Sequence, residues 1–193
     1  MSCFAGAYSI INSKDDHFCG LICSDHEEVG SVSDTGARSS FLESVLNRAV
    51  PDFDSRVIRR SMLISADGAH GFHPNYPEKH DSNHIPLLNL GPVIKVNSNQ
   101  RYATTGETIS FIKYLCMKHN IPYQVFVSRN NIPCGNTIGP IVASELGIKT
   151  VDIGVAQFAM HSIRETAGAN DAYEFKKLLT AFYESELIMM SAS

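Results

Sequence analysis

The amino-acid sequence predicts an α/β fold, a sheet of short strands covered by helices on both faces. Three observations predict it. Short apolar runs recur with turn or polar residues at both ends, the mark of strands buried on both faces. The stretches between them place apolar residues at helical spacing. No repeat, linker or low-complexity tract interrupts the 193 residues, so 1–193 reads as one domain, long enough for a sizeable core.

Taken in order, residues 18–24 (FCGLICS) form the first apolar run and predict a buried strand. Ser33, Asp34 and Thr35 offer N-cap oxygens ahead of a helix over 38–49, where Phe41, Leu42, Val45 and Leu46 recur at helical spacing. A second buried strand is predicted over 61–66 (SMLISA), ending at Asp67. Residues 68–91 hold Pro74, Pro77 and Pro86, four histidines and little periodicity. They read as a long structured loop, and a loop of that length inside a compact domain is usually functional. Strands follow over 93–96, 123–127 and 150–153, and helices over 108–119, 138–146 and 172–186.

Composition narrows the classes of function. The formal net charge of −4 leaves no basic footprint for nucleic acid. No run approaches the roughly 18–20 apolar residues of a membrane span. The opening MSCFAGAYSIINSKDD has no basic region before its apolar stretch, so no secretory signal is read there. Five cysteines make an odd count without a CxxC pair, which fits reduced thiols in the cytoplasm.

Four groups of residues carry candidate chemistry. Asp25-His26-Glu27-Glu28-Val29-Gly30 follows a predicted strand, where α/β sheets place their sites. In an extended chain Glu27 and Glu28 point to opposite sides, so one suits a metal and the other an attacking water. On spacing alone, a solvated acidic turn is the commoner outcome. Asp67 is a hard carboxylate ligand for Zn²⁺ or a plain turn residue. His70, His73, His80 and His84 cluster, but not at the spacing of a compact zinc site, so they read as structural or substrate-side. His161 follows a strand in an apolar setting, where a histidine is more often a core residue than a ligand.

Three further features stay open on the residues alone. Cys134 as a nucleophile needs a partnered histidine and an orienting group. The glycine-rich turn over 135–139 offers N–H groups to a carboxylate, or simply starts a helix. Lys95 and Arg101 are cations beside a strand, suited to an acidic substrate group or to solvent.

Five strings decide the matter: DHEEVGS (25–31), SADGAHGFHPNYPEKHDSNH (65–84), GPVIKVNSNQRYAT (91–104), CGNTIGPI (134–141) and MHSIRE (160–165). In this order they closely resemble the M18 aspartyl aminopeptidase family, over about residues 2–186. The resemblance implies a three-layer αβα zinc-exopeptidase sheet and a metallo-aminopeptidase that releases N-terminal Asp or Glu using two zinc ions. It implies Glu27 as general base, Glu28 and His161 as ligands of one metal, and Asp67 as ligand of the other. It places Lys95, Tyr102 and His70 near the substrate, with Lys95 facing the acidic side chain. A peptide with an acidic N-terminus and further copies of the chain are the expected partners, with neither nucleic acid nor membrane.

Three departures from the family pattern carry expectations of their own. His26 stands where the family usually has Asn. Gly68 replaces a Met beside Asp67, a loss expected to loosen the first substrate pocket. Met1-Ser2-Cys3-Phe4 resembles the sequence just after a metal-bridging Asp, so an N-terminally truncated domain is expected, lacking that Asp, a first His ligand and the inserted oligomerisation domain. Such a chain is expected to be inactive or nearly so by itself, with an exposed apolar patch or strand edge that another chain covers. A catalytically inactive remnant serving as a binding or assembly module is the alternative.

Overall fold

The structure, a computed structural model, describes residues 1–14, 17–129 and 131–186. Its centre is a mixed sheet. Strand β1 (Met62–His70) lies parallel to β4 (Lys149–Phe158), which runs antiparallel to β2 (Val93–Val96), and β2 lies parallel to β3 (Gln124–Val127). The order is therefore β1-β4-β2-β3, with the two-residue β5 (Thr166–Ala167) pairing with the end of β4.

β4 is buried from Thr150 to Ala156, and its side chains alternate between the two faces. Val151, Ile153 and Val155 join Ile94 against three helices: α1 (Ser2–Asn12), α4 (Gly106–Lys118) and α6 (Ala169–Tyr183). Ile112 and Leu115 of α4 and Phe175 and Leu178 of α6 are 0–1% exposed in this cluster. Burying each such side chain contributes roughly 1.5–3 kcal/mol. Helix α5 (Ile138–Leu146) covers the opposite face together with the loop over 71–92, above a smaller cluster of Ala69, Val93, Tyr102, Phe126 and Ala156. The predicted three layers are present. The two faces differ in covering: helices on one, one helix and irregular chain on the other.

Local chemistry explains where the helices start and stop. Thr105 caps α4 through a reciprocal capping box with Thr108. Gly147 ends α5 in the left-handed conformation. At α6, the buried Asp171 accepts the N–H groups of Asn89 (2.6 Å) and Gly91 (2.7 Å), which ties the end of the long loop to the helix. Helix α1 carries only small buried residues, Ala5, Gly6 and Ser9. Gly6 makes room for the Leu21 side chain, 2.8 Å from where a Cβ would stand, and Ser9 Oγ donates to the Lys176 carbonyl of α6 at 3.1 Å.

Several predicted elements need correction. Residues 18–24 form no strand; they run past the outer edge of β1, which has no strand partner on that side among the described residues. The helix predicted over 38–49 begins only at Phe41, as α2 (Phe41–Ala49), and Ser33–Thr35 do not cap it. Thr35 instead donates from Oγ1 to Asp25 (3.0 Å) in a turn closed by Asp25 N–H on the Thr35 carbonyl. The short α3 (Ser55–Arg59), started by Asp54, was not foreseen. Strands β1 and β4 both outrun the apolar runs that announce them, because their parallel ladder continues through Asp67, Gly68 and Gln157. Asp67 therefore lies inside a strand rather than at its end. No described helix is long and apolar enough to cross a membrane.

Candidate active site

Asp67 sits on β1 directly beside Gly154 of β4. No side chain fits at Gly154, since a Cβ there would lie 2.0 Å from the Asp67 carbonyl oxygen. Lys95 comes from β2, two strands away from β1, and its Nζ donates to Asp67 Oδ2 (3.0 Å) and to the Gly68 carbonyl (2.9 Å). The Lys95 side chain is only 1% exposed. Its ammonium also lies 5.0 Å from the centre of the Tyr102 ring, a cation–π contact.

Tyr102 is held from behind by Asp152, the fully buried acid of β4. Asp152 accepts Ala103 N–H at 2.6 Å and Thr137 Oγ1–H at 2.6 Å, and so fixes both the chain after Tyr102 and the start of α5. Burial, then the neighbouring Cys134, pushes the Tyr102 hydroxyl far above its ordinary pKa, so it stays a neutral donor. The sequence reading passes over Asp152; its signal was an acid inside the apolar run TVDIG.

Glu27 and Glu28 lie on a single 3₁₀ turn, Glu27–Val29, not on extended chain. The turn still separates them, since three residues per turn set successive side chains about 120° apart. His26 precedes it at φ 59°, a left-handed conformation that suits Asn or His, with Nδ1 2.8 Å from Ser33 Oγ. Glu27 is half-buried. Loss of water, then the Asp67 and Glu28 carboxylates, raise its pKa, while Lys95 and His161 oppose the rise. A carboxylate moved in this direction is a better match to a general base working near neutrality.

Glu28 meets His161, with Oε2 2.7 Å from Nε2. His161 lies beyond β4 at φ 68°, and its N–H donates to Glu165 Oε1 at 2.5 Å. Both side chains of the pair are about two-thirds exposed, at 66% and 69%. A pair so exposed adds at most about 1 kcal/mol of stability, while left-handed backbone at a histidine costs of that order. Stability alone does not account for the arrangement.

The donors fit zinc in kind, a carboxylate oxygen and an imidazole nitrogen. Two ligands on one tetrahedral zinc stand roughly 3.4 Å apart, so the observed separation needs only a small opening. The set is short in number. Among the described residues, no three His, Cys, Asp or Glu side chains are grouped to share an ion. Asp67 instead faces Lys95.

The remaining candidates are placed as follows. His70 lines a pocket of about 530 Å³ with Tyr102 and Phe126. Burial, then Lys95 and His161, lower its pKa. His80 packs edge-on to Phe72 and Phe126, His73 stacks near Phe158 and Tyr76, and His84 pairs with Asp81 at 2.7 Å. These three serve the loop. Cys134 accepts from Ser128 Oγ at 3.2 Å, with Tyr102 as its other side-chain partner, which is not the histidine a thiol nucleophile requires. The space that a side chain at position 68 would enter is filled, not open: a Cβ there would sit 3.1 Å from Gln157 and 3.2 Å from the Met160 methyl.

Fold and cluster together define the class, an α/β domain presenting carboxylate and imidazole donors beside the ends of its central strands. Residues 1–183 match the family described as aminopeptidase I zinc metalloprotease (M18), and the chain belongs to that family. It is 58% identical, over 96% of its length, to a probable M18 family aminopeptidase 2 of Ectopseudomonas mendocina. It spans 44% of that relative's own length. Among solved structures, yeast aminopeptidase 1 superposes with a TM-score of 0.83 at 30% identity, covering 95% of this chain and 43% of that one. The S. cerevisiae mApe1 dodecamer gives 0.81 at 31%, covering 94% and 43%.

Proposed function

We propose that the chain carries part of the active site of a zinc aminopeptidase that releases N-terminal Asp or Glu from peptides. The contact of Glu28 with His161, beside a half-buried Glu27, carries this reading. Glu28 and His161 would hold one zinc ion and Asp67 a second. Zinc at such a site polarises the scissile carbonyl and acidifies water. Glu27 takes the proton from the attacking water and passes it to the leaving amine. Lys95, enclosed with two of its three N–H donors on Asp67 and Gly68, would favour the acidic side chain of the substrate through its positive charge. Tyr102 and His70 line the neighbouring pocket as substrate contacts.

A catalytic zinc normally has three protein ligands. With two donors for one ion and one for the other, the chain by itself takes up at most one zinc and turns over poorly. Further copies of the chain complete the assembly, as in the dodecameric relative. Zinc content per chain, measured with hydrolysis of an N-terminal Asp peptide, tests this. One zinc per chain, abolished by His161→Ala, is the expected result, and Glu27→Gln should lower whatever turnover exists about 10²–10⁴-fold. Zinc uptake unchanged in His161→Ala would overturn the ligand assignment. A catalytically inert chain with no zinc at all would instead favour a binding or assembly module.

A further inference from the structure

Two pockets flank the cluster. One, with His70 and Tyr102, is described above; it includes none of Glu27, Glu28, Asp67 or His161. The other, of about 550 Å³, has Glu27 as its sole member of that group, and its walls carry Arg38, Arg101 and Asn136. Its size is within the range of small-ligand sites. We propose that this second pocket binds a carboxylate on the part of the peptide beyond the scissile bond.

The inference rests on the assignment of Glu27 as base. A base that returns its proton to the leaving amine must stand on the side where the leaving peptide lies. The pocket that contains Glu27 is therefore the leaving-peptide side, and the His70 pocket is the side of the N-terminal residue. Charge supplies the specificity. The lining holds two arginines against one carboxylate, and neither Arg38 nor Arg101 forms an ion pair among the described residues. Arg101 is aimed by its Nη1, which donates to Asn136 Oδ1 at 2.9 Å, and this leaves the rest of its fork for a ligand. The start of α5 borders the pocket but is not the anion seat. Its approach is taken by the Asp152 carboxylate, which a Cβ on Gly139 would meet at 2.4 Å. Recognition thus falls to the two arginines, as charge-assisted bonds to a carboxylate.

Such a carboxylate comes from the C-terminus of a short peptide or from an acidic side chain in the second position. Calorimetric titration of the chain with Asp-Ala, Asp-Ala-amide and Asp-Glu-amide separates the two sources. Asp-Ala should bind about tenfold or more tighter than its amide, the effect of a charge-assisted contact. Recovery of that affinity by Asp-Glu-amide assigns the side chain as an equal source; no recovery restricts the site to the terminal carboxylate. The preference should vanish in the doubly substituted R38A/R101A protein, while Arg101→Lys retains part of it. Equal binding of acid and amide, no binding of either, or a preference that survives R38A/R101A would overturn the proposal. Hydrolysis of the same peptides is followed in parallel with zinc present. A carboxylate preference with neither zinc uptake nor turnover removes the hydrolytic reading and leaves this site standing; turnover without the preference does the reverse.

Discussion

Residues 18–24 and strand β4 are both apolar runs of ordinary strand composition, and they end in opposite states. β4 has β1 on one edge, β2 on the other and helices above and below; Val151 and Ile153 are fully buried. Residues 18–24 pass beside an edge of β1 that has no strand partner among the described residues, leaving Phe18 60% and Leu21 41% exposed. A cavity of about 130 Å³, lined by Leu21, Ile22, Met62 and Ile64, marks the imperfect fit. The difference lies in the neighbours. A strand is stabilised by its partners' hydrogen bonds and faces, and an apolar sequence without them remains irregular.

The comparison can be broken by substitution. Ile153→Ala removes buried methylenes where nothing can collapse inward, and should cost about 2–5 kcal/mol in chemical denaturation. Asp171→Ala strands the N–H groups of Asn89 and Gly91, at about 1–3 kcal/mol for the buried Gly91 donor and less for the exposed Asn89. Hydrogen exchange at those two amides should accelerate alongside.

A pH titration sharpens the contrast on the other face. Burial, then His70, hold the His80 pKa below its ordinary 6.5. The unfolded chain therefore binds the proton first, and stability falls as pH drops below 6.5 towards the folded value. The melting temperature should decline by a few degrees over that window, and His80→Phe should flatten the decline; an unchanged slope would remove His80 from the account. The smallest effect belongs to Leu21→Ala, about 1 kcal/mol or less for a side chain this exposed. A cost at Leu21 as large as that at Ile153 would erase the distinction between the two runs.

Much of the fold was legible where local and tertiary preferences agree. β2 and α5 appear with the bounds that their patterns predict, one a buried apolar run, the other closed by Gly147. β1 and β4 exceed their apolar cores because ladder pairing carries polar residues along with it. α1 was illegible for a different reason: Ala5, Gly6 and Ser9 are weak helix signals whose value lies in what packs on them, Leu21 at Gly6 and α6 at Ser9. Within the site, spacing alone did not distinguish Glu27 and Glu28 from a surface turn, nor His161 from a core histidine. The family strings assign those roles by resemblance, and the structure adds the Glu28–His161 contact. Asp152 and Arg38 escaped both, since a supporting acid and a pocket-lining cation leave no local pattern.

The burial of Lys95 has a consequence in reactivity. An acylating reagent needs a deprotonated amine it can reach, and the Lys95 ammonium is enclosed by Asp67, Gly68 and the Tyr102 ring. Brief exposure of the intact chain to an N-hydroxysuccinimide ester should mark the surface lysines and spare position 95. Peptide mass mapping of that single lysine then becomes a footprint of whether the centre of the sheet is closed.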